Sequence, residues 1–348
     1  MRKPERRAMT AFCLIGLLLL IAAPVDARSV TDSAGRSVEI PDTVGRVFAA
    51  GPPASTLLYV LAPKDMIGWV RAPRDPEKPY LLPSVRDLPE LGRLTGRVDS
   101  LNLERLIAAK PDLVIDFGTI NDTYKSLADR VQSQTGIPYL LIDGRFENTA
   151  AALRLLADVL GVRDRGETLA RAADAIFAEV DQVIAPVPAG KRPRVYLARG
   201  PEGLETGTRG SINTEIIERV GAVNVAEGPR PKGGLVTASL EQILAWAPDS
   251  IITLDKSFRQ SVATKPEWQQ VAAVAAGRVY LAPNLPFGFV DSPPSLNRLI
   301  GLTWLLHTFY PKEAPGQLRE QVRSFYHVFY QVDLAEPMLD TLLDPSGG

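Results

Sequence analysis

Positively charged side chains follow several of the predicted strands of this 348-residue chain, although its formal net charge is only −1. Arginine suits anionic groups because its planar fork donates two parallel hydrogen bonds to a carboxylate, a phosphate or another oxyanion. In α/β proteins, ligands bind in loops at the carboxyl ends of parallel strands. The sequence therefore predicts a site for an anionic ligand. Its candidate ligand-binding residues are Arg71, Arg74, Tyr80, Thr119, Arg145, Arg199, Arg209, Lys232, Phe287 and Phe289.

Aromatic residues accompany these cations in the same predicted loops. Tyr80, Phe287 and Phe289 belong to the candidate set, and Phe117 and Phe146 lie in neighbouring loops. Such rings could stack on an aromatic or macrocyclic ligand. An anionic metal chelate fits both the cations and the rings, so we expect a ligand of that class. For each single residue, a plain surface or core role is an equally good interpretation.

Other chemistries lack the residues that they need. The two histidines, His307 and His327, fall in predicted helices near the end of the chain, and no histidine cluster has metal-ligand spacing. This argues against a binder of free zinc or manganese. The Gly-x-Ser-x-Gly, P-loop and His-Glu-x-x-His motifs are also missing. We therefore expect no catalytic residue, no metal site and no cofactor, and the nearly balanced charge indicates no nucleic-acid partner.

One sequence pattern occurs twice and predicts the elements that position these loops. Leu103–Ile115 and Leu240–Ile252 share six identical positions, including Leu-Glu at the start and Pro-Asp in the middle. Each copy reads as a short helix, a Pro-Asp break and a buried β-branched strand. Because a single recurrence is too sparse for a solenoid, the pattern predicts two related α/β lobes, each a doubly wound sheet.

A long amphipathic helix is predicted between the two copies, over Arg163–Ile184. A helix of that length spans roughly 33 Å, enough to carry the chain once from one lobe to the other. The predicted organisation is a leader at 1–27, an N-terminal lobe at 28–146, linking helices at 147–186 and a C-terminal lobe at 187–348.

The first 27 residues have the composition of a secretory signal peptide. Four basic residues precede an apolar run over 11–23, and Val25-Asp-Ala27 resembles a small-residue cleavage site. The apolar run is too short to span a membrane easily, although an uncleaved anchor is the alternative interpretation. The only cysteine, Cys13, lies inside this run, so the secreted chain would contain no disulfide and no thiol ligand.

The whole layout resembles the periplasmic substrate-binding proteins that serve ABC importers of ferric siderophores, haem and vitamin B12. The motifs that carry the resemblance are Leu-Glu-x-x-x-Ala-x-x-Pro-Asp in both repeat copies, Gly221–Ala226, Gly277–Tyr280 and Pro293–Gly301. The resemblance extends over essentially all of the chain after the leader.

The resemblance implies two α/β lobes joined by one long backbone helix, with the ligand in the cleft between them and a small closing motion. It implies a monomer in the periplasm that delivers an iron chelate, such as a siderophore, haem or a related complex like cobalamin, to an ABC permease and its ATPase. In this family a surface glutamate of each lobe docks on the permease, and the matching positions are Glu104 and Glu241. Some relatives bind molybdate or tungstate, and the sequence leaves that oxyanion open, as it does a sensor or adaptor without transport.

Overall fold

The structure, a computed structural model, describes residues 27–95, 103–228 and 234–344. Of the predicted leader, only Ala27 lies within these ranges, as the first residue of a strand. Two parallel sheets form the centres of two lobes, which confirms the predicted fold class. The lobes lie on either side of a long helix over Arg163–Ile184, the bounds that the sequence predicts.

Lobe one begins with an antiparallel hairpin and continues into a parallel sheet of strand order β3-β4-β5 in the described residues. The hairpin turns at Gly35, whose φ of 76° is in the left-handed region that glycine adopts without strain. The elements are β1 (Ala27–Thr31), β2 (Ser37–Pro41), β3 (Val47–Ala49), α1 (Pro52–Leu61), α2 (Leu103–Ala109), β4 (Leu113–Gly118), α3 (Asp122–Thr135) and β5 (Tyr139–Asp143).

Two helices then cross to lobe two, whose described strands form a parallel sheet of order β11-β10-β6-β8 and a small antiparallel pair of β7 with β9. These elements are α4 (Thr149–Val159), α5 (Arg163–Ile184), β6 (Arg194–Ala198), β7 (Glu205–Thr206), α6 (Glu215–Arg219), β8 (Val223–Asn224), β9 (Val236–Thr237), α7 (Leu240–Trp246), β10 (Ser250–Thr253), α8 (Lys256–Ser261), α9 (Ala272–Ala275) and β11 (Val279–Leu281).

The repeated sequence pattern folds into the same unit in both lobes. In lobe one, Arg46 donates to the carbonyl of Ala109 at 2.7 Å, and in lobe two Arg194 donates to the carbonyl of Trp246 at 2.7 Å. Each arginine therefore satisfies a carbonyl at the end of the repeat helix that has no partner inside the helix. The aspartate of each Pro-Asp pair completes the unit by accepting the backbone N–H of the same arginine.

The chain returns to lobe one after α10 (Arg298–Phe309) and α11 (Leu318–Phe325). A π-helix over Tyr326–Tyr330 packs against α1, where the Tyr59 hydroxyl donates to the carbonyl of Tyr330 at 2.8 Å. The last helix, α12 (Glu336–Leu343), is held to lobe one by the Tyr80 hydroxyl. One continuous core of buried residues consequently extends from lobe one through α5 into lobe two.

Some predicted elements differ from the structure. Residues 66–70 are predicted as a strand, yet they form only isolated bridges, from Met66 to Val47 and from Trp69 to Glu90. The predicted helix over 211–220 is helical only over Glu215–Arg219. The helix begins late because turns precede it, in which the backbone N–H of Ser211 donates to the carbonyl of Thr208 and that of Thr214 to the carbonyl of Ser211.

Lobe one buries a carboxylate whose charge opposes folding. Asp116 is enclosed on β4, and the Tyr139 hydroxyl donates to it at 3.2 Å. Burial raises the pKa of Asp116 to about 6, although the hydrogen bond from Tyr139 works in the opposite direction. Between the unfolded pKa of about 3.9 and this value, the folded state keeps a proton that the unfolded state has lost, so stability falls as pH rises through that window.

We expect Asp116→Asn to remove this loss. The free energy of unfolding of the variant relative to the wild type should rise by about 2–3 kcal/mol between pH 4 and pH 7, because the amide carries no charge to desolvate. Urea unfolding at a series of pH values measures the difference, with Asp42→Asn, at an exposed carboxylate, as the control. A difference that stays constant over this range would contradict the assignment.

Candidate ligand-binding site between the lobes

An arginine at the end of β6 anchors a polar cluster in lobe two. Arg199 donates through Nε to Glu205 at 3.1 Å and through Nη1 to the carboxylate of Asp291. Asn213 donates to both oxygens of Asp291 at 3.1 and 3.2 Å. Arg199 keeps 18% of its side chain exposed, whereas Asp291 keeps 1%. We call Arg199, Glu205, Asn213 and Asp291 the Arg199 cluster. Within it, the Arg199 side chain is held in place by its partners and is still accessible to solvent.

The buried carboxylate of this cluster holds the arginine in place. Burial raises the pKa of Asp291, and the positive charge of Arg199 opposes that rise. The next residue, Ser292, has a φ of 67°, and its backbone N–H donates to Asp291 at 2.7 Å. Left-handed backbone at a non-glycine residue is strained and concentrates at functional sites. The sequence predicts a ligand-binding loop around Phe287 and Phe289 but does not single out Asp291 or Asn213; the available signal was an acid directly after the apolar run over 285–290.

Lobe one contributes two of the predicted residues at the ends of its strands. Thr119 follows β4 and is exposed. Arg145 follows β5, is largely exposed, and forms ion pairs with Asp143 at 2.8 Å and Glu147 at 3.2 Å. Both therefore lie at the carboxyl edge of the lobe-one sheet, where the sequence places them.

A cavity of about 650 Å³ lies between the loop after Val70 and the ends of β10 and β11. On its lobe-one side, the carboxylate of Glu77 accepts from Arg71 at 2.9 Å and from Arg74 at 3.2 Å. Both predicted arginines are thus already paired to a buried carboxylate. The lining contains Arg74, Pro76, Glu77, Lys256, Leu281, Asn284, Leu285, Asp340, Thr341 and Asp344.

Most of the aromatic candidates are core residues. The Tyr80 ring is 3% exposed and its hydroxyl donates to the carbonyl of Met338 at 2.9 Å, while Phe289 is fully buried. Phe117 and Phe146 are 2% exposed. Only Phe287 is partly exposed, and it packs against lobe one with its ring 6.0 Å from that of Tyr59. Most of the rings that were expected to stack on a large aromatic ligand are therefore buried in the core.

Of the two remaining predicted cations, Arg209 lies within the described residues. Arg209 is 55% exposed and lies 3.5 Å from the carboxylate of Glu227. It also donates to the carbonyl of Asn224 at 3.4 Å. Lys232 lies outside the described residues. The contacts of Arg209 do not distinguish one anionic ligand from another.

The two glutamates that the sequence singles out occupy the same place in the two repeat units. Glu104 is the second residue of α2 and Glu241 is the second residue of α7, and both are exposed. Hydrogen bonds from the Ser239 side chain and from the backbone N–H of Glu241 itself hold the pKa of Glu241 below its usual value. Lobe two therefore presents an ionised carboxylate at this position.

In the ranges 27–95, 103–228 and 234–344, no helix is both long enough and apolar enough to span a membrane. Within the same ranges, no group of three or more His, Cys, Asp or Glu side chains is arranged to hold a metal ion.

Comparison with protein families matches residues 58–285 to the model for periplasmic binding proteins. Among curated proteins, the molybdate-binding protein MolA of Haemophilus influenzae is 26% identical over 93% of this chain and 96% of its own length. A vitamin B12-binding protein of Salmonella choleraesuis is 32% identical, but over only 45% of this chain and 56% of its own.

Solved structures share the fold over nearly their whole length. An ABC transporter solute-binding protein from Sulfurospirillum deleyianum has a TM-score of 0.82 at 28% identity, covering 90% of this chain and 98% of that protein. The molybdate-bound structure of the Haemophilus influenzae protein has a TM-score of 0.72 at 24% identity, covering 88% of this chain and 99% of that protein.

Proposed function

Because the chain belongs to the periplasmic binding protein family, we propose that it binds a tetrahedral oxyanion of the molybdate or tungstate class and delivers it to an ABC importer. The observation that carries this choice is the similarity to a molybdate-binding protein along 93% of the chain. The similarity to vitamin B12-binding proteins of Salmonella covers less than half of it.

Arg199 supports an oxyanion through its hydrogen-bond geometry rather than through net charge, because Asp291 and Glu205 offset its positive charge. A small dianion needs a few fixed donors rather than a large apolar surface, and an arginine fork is the strongest of them. Arg199 is positioned by Asp291 and remains partly accessible.

An iron chelate is the second candidate, and the 650 Å³ cavity favours it. That volume is in the range of pockets that hold drug-sized ligands. Two features weigh against it. The lining carries three carboxylates beside Arg74 and Lys256, so its charge does not select an anion. Tyr80 and Phe289, which would stack on a chelate, are buried in the core.

The protein would act in the periplasm after removal of the predicted leader, and Glu104 and Glu241 would dock on the permease. Two exposed carboxylates at equivalent positions suit a partner with twofold symmetry and positive pockets. Their recurrence in both lobes supports docking over a plain helix-end role, because that role contributes little to stability.

Isothermal titration calorimetry of the purified secreted protein tests the ligand class. We expect one-site binding of molybdate and tungstate at micromolar concentration or below, and binding of sulfate at least tenfold weaker. Haem, cyanocobalamin and a ferric hydroxamate should release no binding heat. Binding of one of these chelates, with no response to either oxyanion, would overturn the proposal in favour of the second candidate.

A further inference from the structure

A fully buried arginine joins the two lobes beside the candidate site. Arg298, the first residue of α10, keeps only 1% of its side chain exposed. A buried charge is costly unless hydrogen bonds and an opposite charge compensate it. Arg298 meets that requirement through an ion pair with Glu215 at 2.7 Å. Nothing in the ligand chemistry proposed above uses this pair.

The other partners of Arg298 come from both lobes. In lobe two, Arg298 donates to the carbonyl of Ile212 at 2.8 Å and to the carbonyl of Ser295 at 3.3 Å. Its partners in lobe one are the carbonyl of Gly144, which accepts a hydrogen bond at 3.3 Å, and the Phe146 ring, whose centre lies 4.4 Å from the guanidinium. These contacts use the planar, multidentate shape of the group, which a lysine does not have.

Glu215 of lobe two also contacts the loop after β5 of lobe one directly. Its Oε1 atom accepts the backbone N–H of Phe146 at 3.0 Å in addition to the bond from Arg298. A carboxylate of lobe two thereby holds the loop after β5 of lobe one directly. We call Arg298 and Glu215, with their contacts to Gly144 and Phe146, the inter-lobe junction.

The junction lies next to candidate ligand residues on both sides. In lobe one, Arg145 is placed between Gly144 and Phe146. In lobe two, Asn213 follows Ile212, and it holds the Asp291 carboxylate that positions Arg199. The separation between Arg145 and Arg199 therefore depends on contacts that Arg298 makes, although Arg298 itself is enclosed.

We infer that Arg298 and Glu215 are positioning residues, which set the width of the cleft and thereby the residence time of the ligand. The inference rests on the proposed placement of the ligand between the lobes. A site is selective only when its supporting residues hold the donors within a fraction of an ångström of their working positions. Weakening the junction should consequently speed ligand release without removing any ligand contact.

The first test measures the lobes without ligand. Spin labels at Gln134→Cys in lobe one and Ala276→Cys in lobe two, both exposed positions, report the inter-lobe distance in a Cys13→Ser background that has no other cysteine. We expect Arg298→Lys to broaden the distance distribution and Glu215→Gln to do so to a smaller extent. The matched control is Arg154→Lys, an exposed arginine with carboxylate partners on α5.

The second test measures ligand release by stopped-flow fluorescence with molybdate as the probe. We expect dissociation to accelerate about tenfold in Arg298→Lys, the factor that corresponds to the net contribution of one hydrogen bond, with association and circular dichroism unchanged. An unchanged distance distribution in Arg298→Lys would overturn the inference even if molybdate binding weakens. Arg298 would then affect binding without changing the separation of the lobes. A broadened distribution with unchanged dissociation would overturn the link to residence time. Since the distance measurement needs no ligand, it decides on the junction even if the wild type fails to bind molybdate.

Discussion

Replacing both Glu104 and Glu241 with alanine should abolish uptake of molybdate by cells while leaving the affinity of the purified protein unchanged. Both carboxylates are exposed and occupy the second position of α2 and α7. They lie in repeat units that share the same arginine and aspartate contacts. Their removal therefore takes away charge from a surface without disturbing the fold. Uptake of radioactive molybdate and calorimetry on the same variants give the two readouts.

A matched pair of substitutions controls for the loss of two negative charges. Glu39→Ala and Glu267→Ala remove one exposed carboxylate from each lobe, outside the repeat helices, and should leave uptake intact. Normal uptake by the Glu104→Ala/Glu241→Ala variant would rule out docking through these residues. Loss of molybdate binding in that variant would contradict their assignment to a surface away from the ligand. A protein that binds molybdate but supports no uptake even as wild type would act as a sensor or adaptor.

The second large effect is expected at Arg199. Arg199→Lys should weaken molybdate binding by about 10- to 100-fold, because a lysine keeps the charge but loses the fork that donates two parallel hydrogen bonds. Lysine is preferable to alanine here, since alanine would leave the buried carboxylate of Asp291 without its cation and destabilise the protein by about 3–5 kcal/mol. Calorimetry gives the affinity and thermal unfolding gives the stability.

Arg171→Lys is the matched control for this substitution. Arg171 is an exposed arginine of α5, paired with Glu167 at 2.8 Å, and its replacement should leave the affinity unchanged. An Arg199→Lys protein that binds molybdate as tightly as the wild type would remove Arg199 from the ligand set. A large loss of thermal stability would instead indicate that the Arg199–Asp291 pair supports the lobe-two fold.

The fold was predictable where the signal is local along the chain. The helices over Arg163–Ile184 and Arg298–Phe309 have the predicted bounds. In the first, an apolar stripe with a period of 3.6 residues marks a buried face, and Leu169, Ala173 and Val180 are indeed fully buried. The duplicated Pro-Asp pattern likewise predicted two equivalent helix–strand units, because the pattern itself contains the residues that end the helix.

The return of the chain to lobe one was not predictable in the same way. The segment after α11 reads as further amphipathic helix, and the sequence does not say which lobe its apolar face meets. Its placement depends on long-range contacts such as the bond from the Tyr59 hydroxyl to the carbonyl of Tyr330, 271 residues apart. Such contacts follow from tertiary packing rather than from local propensity.

The sequence predicts which loops lie at the mouth of the cleft, but not which of their side chains face it. Position after a strand indicates that a loop lies at the mouth, yet it does not say whether a side chain turns toward the cleft or the core. Arg199 and Arg145 remain accessible, whereas Tyr80 and Phe289 are buried. Asp291 was missed because its partner Asn213 is 78 residues away and only the folded chain brings them together.

The position of molybdenum in a crystal of the protein grown with molybdate tests the central claim most directly. Anomalous scattering at the molybdenum absorption edge locates the metal without reference to any assumed site. We predict a single strong peak between the lobes, within hydrogen-bonding reach of the Arg199 guanidinium through the oxyanion oxygens. A crystal that contains molybdate in its solution but shows no peak in the cleft, or only peaks on the outer surface, would contradict the assignment of this protein as an oxyanion-binding protein.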